Sequence, residues 1–143
     1  MREGRGILVS QIHQMTLRVI DKLIADNGTP EFSAAQGRIL ALLWEENGLI
    51  IQELADRTGL AQNSLTSMVD RLAKNDLCER RADPADRRKS RVFLTEKGKR
   101  LKDRYQRVTD SMYGIYYEGF SEDEIRQLDQ YHLRIIQNLS KVL

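Results

Sequence analysis

Residues 53–98 read ELADRTGLAQNSLTSMVDRLAKNDLCERRADPADRRKSRVFLTEKG. Two short helical patterns meet at Gly59 in the first half of this stretch. Leu65, Met68, Val69 and Leu72 follow the glycine at the i, i+3, i+4, i+7 spacing of one buried helix face. Ala55 is small enough for that helix to cross close above it, and Gly59 supplies the left-handed backbone of a tight turn. Leucine stripes around a turn glycine also occur in plain helical hairpins, so the second half of the stretch decides. There, strand-like runs Leu77–Arg81 and Ser90–Leu94 are joined by the turn Asp83-Pro84-Ala85-Asp86 and a basic tail. A hairpin with a cationic tip placed directly behind a helix-turn-helix describes a winged helix.

Charge points the same way. The 143-residue chain carries a net charge of only +2, yet residues 71–107 hold 14 Lys and Arg against six Asp and Glu, leaving −6 elsewhere. A basic centre in an acidic frame suits a polyanion surface. Within it the division of labour is readable. Gln62, Asn63, Ser64, Thr66 and Ser67 are short hydrogen-bonding side chains on the outer face of the second helix, suited to base edges in a major groove. Arg71 and Lys74 farther along that helix, and Arg87, Arg88, Lys89 and Arg91 on the hairpin, supply charge for phosphates. Val92 and Leu94 are expected to anchor the hairpin to the core.

Flanking segments are helical by pattern. Leu8, Ile12, Met15, Val19 and Leu23 form a first stripe that Asn27-Gly28 ends. Ser33, after Pro30 and Phe32, can cap a second helix that includes Gly37 and closes at Asn47-Gly48. Thr95 caps a long helix with the stripe Leu101, Tyr105, Val108, Met112, Ile115 and Tyr116, and Ser121 to Glu124 form a capping box for the last one. Leu17, Ile20 and Ile24 make the first helix apolar on more than one side, which predicts an oligomer.

The quoted stretch resembles the winged helix-turn-helix of the MarR family of bacterial transcription regulators, and the flanking helices match that family's order along nearly the whole chain. The most specific element is DRRKSRVFLT (residues 86–95), similar to the family's wing pattern of Asp, one residue, Arg, then a spaced Leu-Thr. On this resemblance Asp86 and Arg88 take the wing-tip positions, and Asp70 is the recognition-helix acid that pairs with the wing arginine. The resemblance implies a mainly α, single-domain chain over 1–143, with a winged helix-turn-helix core at 34–95 and dimerisation helices at 1–30 and 96–143. It further implies a homodimer on a pseudo-palindromic double-stranded DNA operator, with repression relieved by a small molecule or stress signal. Ala61 departs from the pattern as a poor cap, which shifts the expected helix start, with Asn63 or Ser64 taking the cap role.

Other chemistry is sparse. The chain lacks G-x-x-x-x-G-K, G-x-S-x-G and any histidine–carboxylate cluster, so no enzyme is expected. With one cysteine, no signal-type segment and no spanning apolar run, a cytoplasmic protein without membrane contact or cofactor is expected. Cys78 reads as a buried structural thiol rather than a redox sensor, and neither His13 nor His132 has a partner at metal-ligand spacing. Tyr113, Tyr116, Tyr117 and Phe120 read as interface aromatics before an aromatic cage. His13, Gly37 and Arg38 are candidate walls of a pocket for a small anionic aromatic effector, although Gly37 could equally serve close helix packing. A winged helix used only for protein contact is the rival to DNA binding.

Overall fold

In the computed structural model, which describes residues 4–28 and 32–143, a long helix α1 (Arg5–Asp26) leads into α2 (Ala34–Glu45). A two-residue strand β1 (Leu49–Ile50) precedes α3 (Ile51–Thr58) and α4 (Gln62–Lys74). The hairpin of β2 (Cys78–Ala82) and β3 (Ser90–Leu94) follows, then α5 (Glu96–Arg100), α6 (Lys102–Tyr116) and α7 (Glu122–Ser140). The mainly α winged-helix class is therefore the one observed.

Local chemistry sets these boundaries. Gly59 ends α3 at φ +72°, and its N–H closes on the Ala55 carbonyl at 3.0 Å. Ser33 and Gln36 form a reciprocal capping box at α2, whose first N–H also reaches Asp21 of α1 at 2.7 Å. Ser121 and Glu124 do the same for α7. Pro30 lies outside the described residues. The apolar stripe of α4, with Leu65, Val69 and Leu72 fully buried, packs with Ile39, Leu40, Leu43, Leu54, Leu77 and Val92 into one core. Val92 and Leu94 anchor the hairpin as their alternation requires.

Three features differ from the sequence reading. The sheet has three strands in the order β1-β3-β2, because Leu49 and Ile50 pair with Val92 and Arg91. Two residues are too few to show a strand period, and they read as the start of the next helix. The helix begun at Thr95 breaks at Leu101, since the Gly98 carbonyl accepts from the Trp44 indole at 3.0 Å and from the Leu101 N–H at 3.3 Å. That 3₁₀-type bond tightens the turn and ends α5. On α1, Ile20, Leu23 and Ile24 enter the core, whereas Leu8, Ile12 and Met15 of the expected stripe face outward.

Gly98 is the tightest point. A Cβ there stands 2.1 Å from the Leu77 carbonyl oxygen, so Gly98→Ala is expected to destabilise the fold by about 3 kcal/mol. Gly59→Ala meets no atom within 4 Å, but its φ of +72° makes the expected cost about 1 kcal/mol. Urea midpoints of the two variants check this order, and a reversed order contradicts it.

Candidate nucleic-acid interface

The recognition helix α4 starts at Gln62, with Ala61 in extended backbone at the cap position and no side chain bonded there. The expected shift to Asn63 or Ser64 does not occur. Gly59 and the buried helix pair fix the chain's entry, and the Leu65 N–H closes the first turn on the Ala61 carbonyl at 2.9 Å. The first-turn N–H groups are thus left to solvent or a ligand. Gln62, Asn63, Ser64 and Ser67 are exposed, and Thr66 is half-buried, its hydroxyl donating to the Gln62 carbonyl at 3.0 Å. Arg71 and Lys74 are exposed at the other end of the helix.

The wing turn is built on two aspartates. Asp83 accepts from the Ala85 N–H at 3.0 Å and sits 3.3 Å from Arg91, while its own N–H reaches the Lys89 carbonyl at 2.9 Å. The Ala85 N–H foremost, and Arg91 after it, hold the Asp83 carboxyl below its usual range. Asp86 takes both the Nε and Nη2 of Arg88, at 3.1 and 3.2 Å, and also its N–H. These bonds hold the Asp86 carboxyl low as well. Arg88 is nonetheless 91% exposed, so its fork is aimed outward and is not withdrawn into the protein. Arg87 and Lys89 are exposed beside it.

Two expected roles change. Asp70 pairs with Arg80 of β2 at 2.9 Å, not with Arg88, because β2 packs against α4 and the Arg88 guanidinium is taken by Asp86. Arg91 is not a free wing cation: it donates to the Gly48 carbonyl at 2.8 Å and is paired with Asp83, which ties the wing base to the turn before β1. Arg80 and Gln52 were not singled out by the sequence, and both line a cleft of about 170 Å³ with Gln62, Thr66, Arg88 and Lys89. The strand register, with Arg80 opposite Val92, places the arginine there, and Gln52 reaches the cleft from the first turn of α3.

The expected pocket does not assemble either. Gly37 is closed off by Tyr105, whose Cε2 lies 2.6 Å from where a Cβ would stand, and Tyr105 meets Phe32 and Trp44 in tilted ring contacts at 5.9 and 5.2 Å. Arg38 is half-buried on this helix and acts electrostatically on Tyr105. His13 instead faces a separate cleft of about 270 Å³ with Val9, Ile12, Thr16, Tyr116 and His132. Gly37 serves close packing.

A family model described as MarR family matches residues 32–90. The uncharacterized HTH-type transcriptional regulator YsmB of Bacillus subtilis is 30% identical over 117 residues, covering 78% of this chain and 80% of that protein. The chain belongs to the MarR family. A second relative, the HTH-type transcriptional regulator TtmR of Methylorubrum extorquens, is 34% identical over 98 residues, or 68% of this chain and 49% of that one, so the chain matches about half of TtmR's length. Among solved structures, a MarR transcriptional regulator from Methanosarcina mazei superposes with a TM-score of 0.85 at 25% identity, covering 99% of each chain. CouR from Rhodococcus jostii bound to p-coumaroyl-CoA gives 0.77 at 28% identity over 91% of this chain and 90% of that one. A mutant MarR from E. coli complexed with operator DNA gives 0.81 at 21% identity over 91% of each, which shows the shared fold. Like these proteins, the chain is a helix-turn-helix regulator of transcription. No helix among the described residues is long and apolar enough to cross a membrane.

Cys78 lies behind the interface, its thiol 3.7 Å from the Val69 carbonyl. Burial foremost, then the Asp70 carboxylate, push the thiol from 9.0 up to about 11, against the pull of Arg80. The folded state therefore holds this proton more tightly than the unfolded chain. Stability is unaffected below pH 9 and declines as the pH climbs from 9.0 towards 11. Thiolate absorbance of the native protein is expected to stay flat through pH 9.0; a titration centred there contradicts the buried thiol.

Proposed function

We propose that this chain is a homodimeric repressor of a pseudo-palindromic operator, relieved by a small-molecule or stress signal. The observation that carries the DNA reading is the cleft where Gln62 and Thr66 of α4 meet Arg88 and Lys89 of the wing. A polar helix face of readable side chains borders an outward-held cation fork, which is the arrangement that a groove flanked by phosphates selects. The winged core at 34–95 reads DNA, and the segments 1–30 and 96–143 dimerise.

Dimerisation is supported by apolar surface that the protomer leaves uncovered. Ile7, Leu8, Val9 and Ile12 on α1, and Leu133, Ile135, Ile136 and Leu139 on α7, are all exposed. Patches of this kind are rare on monomers, and two helices that bury them against a second copy set the half-site spacing. CouR's bound p-coumaroyl-CoA supports relief by a ligand, and the operator complex of MarR supports the DNA target. The protein acts in the cytoplasm as a regulator, not an enzyme.

Operator binding measured by fluorescence anisotropy across a salt series tests the interface. Lys89→Ala is expected to reduce the magnitude of the salt slope by about one for each phosphate the lysine neutralises, roughly two for a symmetric dimer. Arg88→Ala is expected to cost about 1–3 kcal/mol per half-site, and wild-type affinity and slope in that variant sink the wing's role. Arg91→Ala is expected to lower the unfolding midpoint, because it strips Asp83 and Gly48 of a shared partner. The double variant Ile136→Asp, Leu139→Asp is expected to be a folded monomer by light scattering with operator affinity at least ~100-fold weaker. A double variant that stays dimeric overturns the assigned interface.

A further inference from the structure

A protein that puts one helix into a major groove and a wing tip into the adjacent minor groove straddles a single sugar–phosphate backbone, because one backbone separates neighbouring grooves. Here the gap between those two elements is the cleft of about 170 Å³ that α4 and the wing share with the start of α3. The backbone between the grooves has to cross it.

The walls of the cleft suit that backbone. Arg80, Arg88 and Lys89 line it, and among the described residues no Asp or Glu does. Like charges gathered in one cleft repel one another, and an anion between them relieves the repulsion. Gln52, exposed on the first turn of α3, and Gln62, exposed at the start of α4, add neutral donors. Glu53, beside Gln52 in the chain, is turned back onto the Ile50 N–H at 3.0 Å.

Arg80 differs from the two tip cations in what holds it. Among the described residues its only bond runs from Nη1 to Asp70 Oδ1 at 2.9 Å, which leaves Nε and Nη2 for a second partner, and its side chain is 37% exposed. Asp70 belongs to α4 and Arg80 to β2, so one guanidinium links the recognition helix to the root of the wing. A planar fork gives one edge to a carboxylate and another to a phosphate, whereas an ammonium has no second edge.

We infer that this cleft seats the phosphate that divides the major groove from the minor groove, that Arg80 binds it with Gln52 beside it, and that Asp70 positions the arginine. This rests on the reading that α4 and the wing tip enter adjacent grooves of an operator, and it assigns contacts which that reading leaves open. A phosphate held between helix and wing fixes the register of the duplex against both.

Anisotropy of the intact dimer, on an operator selected from random duplexes with one phosphate at a time replaced by an uncharged methylphosphonate, tests the seat. At the phosphate between the bases read by α4 and the flank reached by the wing, the replacement is expected to weaken wild type ~10-fold and Arg80→Gln less than ~2-fold. Arg80→Gln is also expected to lower the magnitude of the salt slope by about two for the dimer. Arg80→Lys is expected to keep the wild-type slope and bind the unmodified operator ~3-fold more weakly, since the charge survives and the second edge does not. Asp70→Asn is expected to tighten binding to random duplex and to reduce the phosphonate effect. Urea midpoints of these variants are expected near that of wild type, because exposed ion pairs contribute little to stability. Where Arg80→Gln does not fold, Arg80→Lys decides, and wild-type operator affinity in it overturns the seat. Full phosphonate sensitivity in Asp70→Asn overturns the positioning role. Intact operator binding in which wild type and Arg80→Gln respond alike at every phosphate rejects the seat alone, whereas absent operator binding by wild type rejects the DNA reading beneath it.

Discussion

The Leu77 carbonyl is the point on which the two parts of the molecule turn. It accepts the Thr95 N–H at 3.1 Å, and the Gly98 backbone rests against it so closely that no side chain fits. Thr95 adds a hydroxyl bond to the Asp76 carbonyl and caps α5 through the Gly98 N–H. Trp44 of α2 locks the other side of the same glycine. The end of the recognition helix, the end of the wing and the start of the C-terminal helices are thereby fastened within a few residues. A shift of α6 is carried into the winged core through a junction with no slack, since close-packed interiors transmit displacement instead of absorbing it.

Electrostatics then separates cations that build the wing from cations that face outward. Arg91 is committed inside the fold, to Asp83 and Gly48, whereas Arg80 gives Asp70 one edge of its guanidinium and keeps the other. Arg88 is also paired, yet Asp86 holds it by its edge and leaves it in solvent. The exposed Arg88–Asp86 pair contributes little to stability. Its role is to restrict where the guanidinium points, which lowers the ordering cost of placing it against a polyanion.

What the sequence disclosed follows the range of the interactions. The turn at Gly59, the caps at Ser33, Thr95 and Ser121, and the burial of Val92 and Leu94 depend on neighbours a few residues away, and their periodicity shows them. The break at Leu101 does not, because its cause is an indole 54 residues upstream of Gly98. Arg91 read as a wing cation because the carbonyl that claims it is 43 residues away. His13 and Gly37 looked like one pocket, but Tyr105 fills the space beside the glycine and the histidine turns toward α7. A charge run discloses that cations are concentrated, and only the fold shows which of them remain available.

Ala61 gives the recognition helix an unusual thermodynamic position. No side chain caps its first-turn donors in the free protein, so the helix gives up the ~1 kcal/mol that a serine cap supplies. A phosphate oxygen arriving at that end of the helix does not have to displace a side chain to reach those donors. The first-turn donors of the helix therefore stay open to solvent or to an arriving anion. A serine at residue 61 supplies the missing cap to the free protein and competes with any anion for the same donors, so the two uses of these N–H groups exclude each other.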